Sequence, residues 1–309
     1  MTRNALLLIA SLLVGCQGMP ADQSGESGSE IIGGTADNGD TSVVALLNRT
    51  KGELCTASLI SPTVLLTAAH CTLSDPGDVF VAVFAPDLTK GIPANTAFAV
   101  KEVHHDPAFN INNLQAGHDI GIAILAQPST QTPLPFNTAA LSQAQVGQAI
   151  RIVGYGLNQG PAQTGKGAGT KRTATTTVDA INNILIQIGD NKKETCSGDS
   201  GGPAFMKLNG VETIVGVTSF GNQFCTNGGF DNRVDAFAAF IKQFVTPANN
   251  PPPPSNTCAH SICAQGTALD ATCDPCATQI CAADSFCCTN SWDRQCVGEV
   301  ATICQQKCQ

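Results

Sequence analysis

The chain has 309 residues, a formal net charge of −8, a pI near 5.0 and 42% hydrophobic residues. Those values fit a globular protein with a real core and exclude the clustered basic surface that a nucleic-acid partner would need. The length allows one large domain with additions, and fifteen cysteines argue for an oxidising compartment over a reducing cytosol.

One Arg lies in the first four residues, and an apolar run follows from Ala5 to Gly15. The run is too short to span a bilayer as a mature helix and reads as a secretory signal. Its end, Leu13-Val14-Gly15-Cys16, resembles a bacterial lipobox, after which the signal (residues 1–16) is removed and the Cys16 thiol is acylated. The bland alternative is a plain signal with an incidental cysteine. Several acyl chains would give stable membrane attachment, where one would be marginal. Gln17 lacks the aspartate that retains such lipoproteins at the inner membrane, so an outer-membrane or surface destination is expected. Residues 17–30 are polar, rich in Gly, Ser and acid, and free of aromatics, as expected of a disordered tether or pro-segment.

From Ile31 the signals are short, β-branched and bounded by turns, which predicts an all-β domain over residues 31–246. Strands are expected at 43–48, 56–61, 64–69, 79–84, 97–103 and 120–125. A second set falls at 150–154, 173–178, 184–188, 204–208 and 212–219, and residues 234–245 are spaced like a closing helix. The proline-rich stretch 247–257 reads as a semi-rigid linker. Residues 258–309 hold ten cysteines, so this small module is predicted to be stapled by five disulfides whose pairing spacing cannot tell. Trp292 there is either core or an aromatic contact for targeting. Zinc on Cys273, Cys276 and His260 is disfavoured in an oxidising compartment, and Asp75 with Asp78 supplies too few oxygens for calcium. No metal or cofactor is expected.

Three motifs carry chemistry. Ser200 sits in Cys196-Ser197-Gly198-Asp199-Ser200-Gly201-Gly202-Pro203. A serine hydroxyl is a weak nucleophile until a neighbouring base activates it, and it needs N–H groups aimed at the oxyanion it creates. Glycines allow tight backbone approach, and Asp199 needs a cationic partner once buried. His70 lies in Thr67-Ala68-Ala69-His70-Cys71, and Asp119 heads the apolar run that ends at Leu125.

In this order His, Asp, Ser, the chain resembles the trypsin/chymotrypsin-like serine peptidases over residues 31–245. The resemblance implies two antiparallel six-stranded barrels with a C-terminal helix and the site between them. It implies His70 as general base, Asp119 as its orienting partner, Ser200 as nucleophile, and the N–H groups of Gly198 and Ser200 as oxyanion hole. It pairs Cys55 with Cys71 and Cys196 with Cys225. It makes Ile31-Ile32-Gly33-Gly34 an activation site, where cleavage frees an ammonium that folds inward onto Asp199. It places Glu194 at the base of the specificity pocket, Gly221 and Gly229 at the positions that keep the pocket open, and Ser219-Phe220-Gly221 on the strand that pairs with substrate. An acid at that base favours Arg or Lys before the scissile bond. Trypsin itself carries Asp there, and the alternative for the longer Glu194 is that it points to solvent. Residue 30 is Glu, and no Lys or Arg stands between Cys16 and Ile31, so another protease is expected to activate the precursor. The tail resembles a cysteine-rich module of secreted myxobacterial proteins through its core from Cys287 to Cys296. The implied product is a secreted serine endopeptidase acting on proteins or peptides. The competing class is a surface-binding protein on a peptidase scaffold that no longer cuts. His104, His105 and His118 are assigned no chemistry.

Overall fold

A computed structural model describes residues 31–161, 164–189, 192–245 and 258–308, apart from 272, 305 and 307. The signal, Cys16, the 17–30 segment and the 247–257 linker lie outside the described residues. A short strand β1 (Thr35–Ala36) precedes six antiparallel strands: β2 (Val43–Asn48), β3 (Glu53–Ser61), β4 (Val64–Thr67), β5 (Phe80–Val83), β6 (Ala97–His105) and β7 (Gly121–Leu125). They close a barrel in the order β2-β3-β4-β7-β6-β5. Its sequence logic is simple. β7 is an uninterrupted apolar run and β4 is apolar up to Thr67, and every residue in both is buried. Each Val, Leu or Ile so buried contributes about 1.5–3 kcal/mol.

The second barrel comprises β8 (Ala149–Gly154), β9 (Arg172–Ile181), β10 (Leu185–Ile188), β11 (Pro203–Leu208), β12 (Val211–Phe220) and β13 (Gly229–Arg233). Their order is β9-β10-β13-β12-β11-β8, closed by pairing of β8 with β9 and extended by β1 on β9. In β9 the alternation is visible: Ala174, Thr176 and Val178 point inward while Thr175, Thr177 and Asp179 are exposed.

Two expectations change in detail. β13 escapes the sequence reading because Gly229-Phe230-Asp231-Asn232-Arg233 is polar, yet Asp231 and Asn232 are fully buried. The helix expected over residues 234–245 is a single 3-10 turn (Asp235–Phe237) followed by a four-residue α1 (Ala238–Ile241). Phe237 and Ile241 anchor it in the first barrel's core.

In the tail, α2 (Pro275–Ala283), α3 (Phe286–Thr289) and α4 (Arg294–Thr302) surround a two-strand ribbon, β14 (Gly266–Thr267) with β15 (Ser291–Trp292). Asp274 and Asp293 cap α2 and α4 by accepting backbone N–H groups. Five disulfides staple it: Cys258–Cys273, Cys263–Cys308, Cys276–Cys304, Cys281–Cys288 and Cys287–Cys296. Trp292 is core, fully buried with its indole N–H donated to the Ile262 carbonyl at 2.8 Å. It offers no aromatic contact to a partner.

Candidate active site

Thr56 of β3 clamps the serine loop to the first barrel. Its N–H donates to the Ser200 carbonyl at 2.8 Å, and its hydroxyl donates to the Gly198 carbonyl at 2.9 Å while accepting the Tyr155 N–H at 3.1 Å. The approach is so close that Gly201, at φ +82°, has no alternative. A Cβ there would lie 2.0 Å from the Thr67 hydroxyl and 2.3 Å from the Thr56 carbonyl.

His70 opens a 3-10 turn (His70–Thr72) just after β4, and Asp119 lies just before β7. The pairing of Thr67 with Gly121 therefore brings these two residues together. The His70 Nδ1 lies 2.8 Å from one Asp119 oxygen, and the His70 backbone N–H donates to the other at 2.8 Å. Asp119 is fully buried. The Ser219 hydroxyl donates to its Oδ2, and its backbone N–H donates to the Asn232 side chain at 3.2 Å. A carboxylate held on every side makes Nδ1 the protonated nitrogen and leaves Nε2 as the acceptor. The resemblance implies only a backbone role for Ser219; its hydroxyl in addition holds Asp119. Asn232 carried no motif that reveals it.

His70, Gly198 and Ser200 line one cleft of about 450 Å³ at the barrel junction. No direct hydrogen bond joins the imidazole to the Ser200 hydroxyl, a looseness common before substrate arrives. Among the described residues, nothing engages the N–H groups of Gly198 and Ser200. The Cys55–Cys71 disulfide borders this cleft.

Ser200 also opens on a second cavity of about 300 Å³, lined by Thr195, Cys196, Thr218, Ser219, Gly221 and Cys225 among others. The Cys196–Cys225 disulfide ties two of its walls. Gly221 faces Gly229 across them, at 3.8 Å from an added Cβ to the opposing Cα. Glu194 is buried, not solvent-facing, and it does not line the cavity. Its Oε1 accepts the Gly228 N–H at 3.0 Å, and its own N–H donates to the Ile32 carbonyl at 3.0 Å.

Asp199 is fully enclosed and accepts the N–H groups of Gly156 and Cys196 at 2.7 and 2.8 Å. Burial outweighs those bonds and pushes its carboxyl up to about 7. Ile31 is likewise fully buried, within the second barrel's core.

Asp231 is also pushed up to about 7 by burial, offset only in part by Thr218. In the unfolded chain its pKa lies near 3.9, so folding takes up a proton between about pH 4 and pH 7. The contribution of this group to stability therefore falls as pH rises through that window. Asp231→Asn is expected to be the more stable protein at pH 8, by a margin on the order of a few kcal/mol that closes near pH 4. Urea unfolding at the two pH values measures it.

Two clusters of potential metal ligands occur among the described residues, Cys55-His70-Cys71 and Asp284-Cys287-Glu299. Each depends on disulfide-bonded cysteine, so neither offers a thiolate.

A serine loop from one β-barrel set against a histidine–aspartate pair from another defines the double-barrel class of serine hydrolases. A family model described as "Trypsin" matches residues 31–241, and the chain belongs to this family of serine peptidases. A second, described as "Domain of unknown function (DUF8252)", matches residues 256–308. Rat vitamin K-dependent protein C is 28% identical over 255 residues, covering 73% of this chain and 54% of its own. The CLIP domain-containing serine protease B15 of Anopheles gambiae is 28% identical over 206 residues, 58% of this chain and 56% of its own. Dog chymotrypsin-like elastase family member 1 is 29% identical over 249 residues, 71% of this chain and 94% of its own. The chain thus spans about half the length of the first two.

Proposed function

We propose that this chain is the precursor of a secreted serine endopeptidase working through an acyl-enzyme. Ser200 Oγ attacks the scissile carbonyl while His70 Nε2 takes its proton. The N–H groups of Gly198 and Ser200 receive the oxyanion, and His70 then protonates the departing amine. Water repeats the sequence to release the acid. The observation that carries this reading is His70 fixed at two points on Asp119, through its imidazole Nδ1 and its backbone N–H, and opening on the same cleft as Ser200.

Cleavage before Ile31 frees an ammonium to pair with Asp199, a buried carboxylate that otherwise has two backbone N–H groups and the lesser field of Arg172. Glu30 stands at the cut, so an activating protease of different specificity performs it. Signal removal at Cys16 and its acylation anchor the precursor at the outer membrane or cell surface. Activation then detaches the 31–309 portion. The substrates are proteins or peptides with Arg or Lys before the scissile bond, and the module at 258–309 is non-catalytic.

The test is cleavage of a peptide library by protein beginning at Ile31. Cuts clustered after Arg and Lys are expected. Cuts after small apolar residues would overturn the basic preference, and none at all would overturn the peptidase.

A further inference from the structure

β13 runs beneath the site and its residues alternate. Phe230 stacks on Phe220 at 4.8 Å between ring centres, and Asn232 accepts from Asp119. Gly229 and Asp231 take the opposite face. An added Cβ on Gly229 would stand 2.8 Å from the Thr195 hydroxyl, in the wall of the 300 Å³ cavity. Two residues on, Asp231 is paired with Thr218 of β12, which lines the same cavity, and on its other side with the apolar Ile186 of β10. Gly216 makes room for the carboxylate, since a Cβ there would lie 2.9 Å from Asp231 Oδ2. Asp231 therefore sits beside Thr218 of the cavity lining, two residues along β13 from Gly229.

Among the described residues only Thr218 offsets the burial of this group, and only in part. It is fully buried, and neither carboxylate oxygen accepts a well-formed hydrogen bond from a described residue. No Lys, Arg or His pairs with it among the described residues. A buried carboxylate without a partner is costly, and a cation arriving with substrate supplies what is missing. Neither Glu194 nor Asp231 is itself in the cavity lining, but Glu194 spends its Oε1 on the Gly228 N–H.

We propose that Asp231 is the specificity-determining acid of this pocket: a guanidinium or ammonium entering beside Thr195 and Thr218 pairs with Asp231 in preference to Glu194. The inference rests on the peptidase reading above, and the experiment keeps the two apart.

The full chain processed at Ile31 is compared as wild type, Asp231→Asn and Glu194→Gln. One readout is kcat/KM on peptides differing only in Arg, Lys or Leu before the scissile bond. The other, independent of turnover, is benzamidinium affinity by calorimetry in a Ser200→Ala background. In Asp231→Asn both the Arg-to-Leu ratio and the benzamidinium affinity are expected to fall about 100-fold or more, the scale of losing one member of a buried charge pair. In Glu194→Gln both should fall by less than about tenfold, since its carboxyl is engaged by the backbone. An Asp231→Asn protein that keeps both quantities within threefold overturns the inference, as does Glu194→Gln abolishing them. Wild type that cuts nothing but binds benzamidinium through Asp231 sinks the peptidase reading and leaves this one standing. Wild type that cuts only after neutral residues and ignores benzamidinium does the reverse.

Discussion

Replacing Ser200 by Ala in protein that begins at Ile31 is expected to lower kcat by about 10⁵- to 10⁶-fold, the scale of nucleophile loss in enzymes whose catalytic groups act as a unit. The remaining activity would reflect binding and the two N–H donors alone. Folding should be untouched. The loop is held by the Ser200 carbonyl on Thr56 and by the Gly201 N–H on Thr218 at 2.7 Å, and the lost hydroxyl makes no hydrogen bond among the described residues. A steady-state assay paired with a thermal melt separates the two effects: turnover collapses while Tm stays put. Activity within tenfold of wild type would remove Ser200 from the chemistry.

Asp119→Asn should be the next most damaging change, about 10⁴-fold in kcat with KM little altered. The reason is a count of donors. Oδ2 receives the His70 Nδ1 and the Ser219 hydroxyl, while Oδ1 receives the His70 backbone N–H. An amide offers one acceptor atom and one donor. With its NH₂ toward the imidazole, it forces the proton onto Nε2, where the base must be free to accept. With the amide flipped, the NH₂ meets the backbone N–H instead. Either arrangement breaks the relay without emptying the site, so substrate still binds. A variant whose KM rises while kcat holds would mean that Asp119 shapes the pocket and not the base.

Much of this is legible in the sequence, for identifiable reasons. β2, β4 and β7 announce themselves because strands buried on both faces read as continuous apolar runs. His70, Asp119 and Ser200 stand in motifs whose neighbours are small or apolar, which set them apart locally. β13 leaves no local pattern because its buried polar residues act at long range: Asn232 accepts from Asp119 over a hundred positions away, and Asp231 pairs with Thr218 of β12. Ser219 was read through its backbone alone, since a hydroxyl's partner across the barrel junction leaves no trace in spacing. The direction Glu194 takes was equally invisible, because it depends on where the Gly228 N–H falls. In the tail the number of disulfides followed from the cysteine count, while their connectivity required the fold.

The most direct test is covalent. Protein beginning at Ile31 is treated with a fluorophosphonate, digested and mapped by mass spectrometry, alongside a His70→Ala variant. A single adduct on Ser200 that depends on His70 is expected, because only a serine activated by its neighbour reacts at neutral pH. An unlabelled Ser200 in folded, processed protein would contradict the hydrolase assignment at its root.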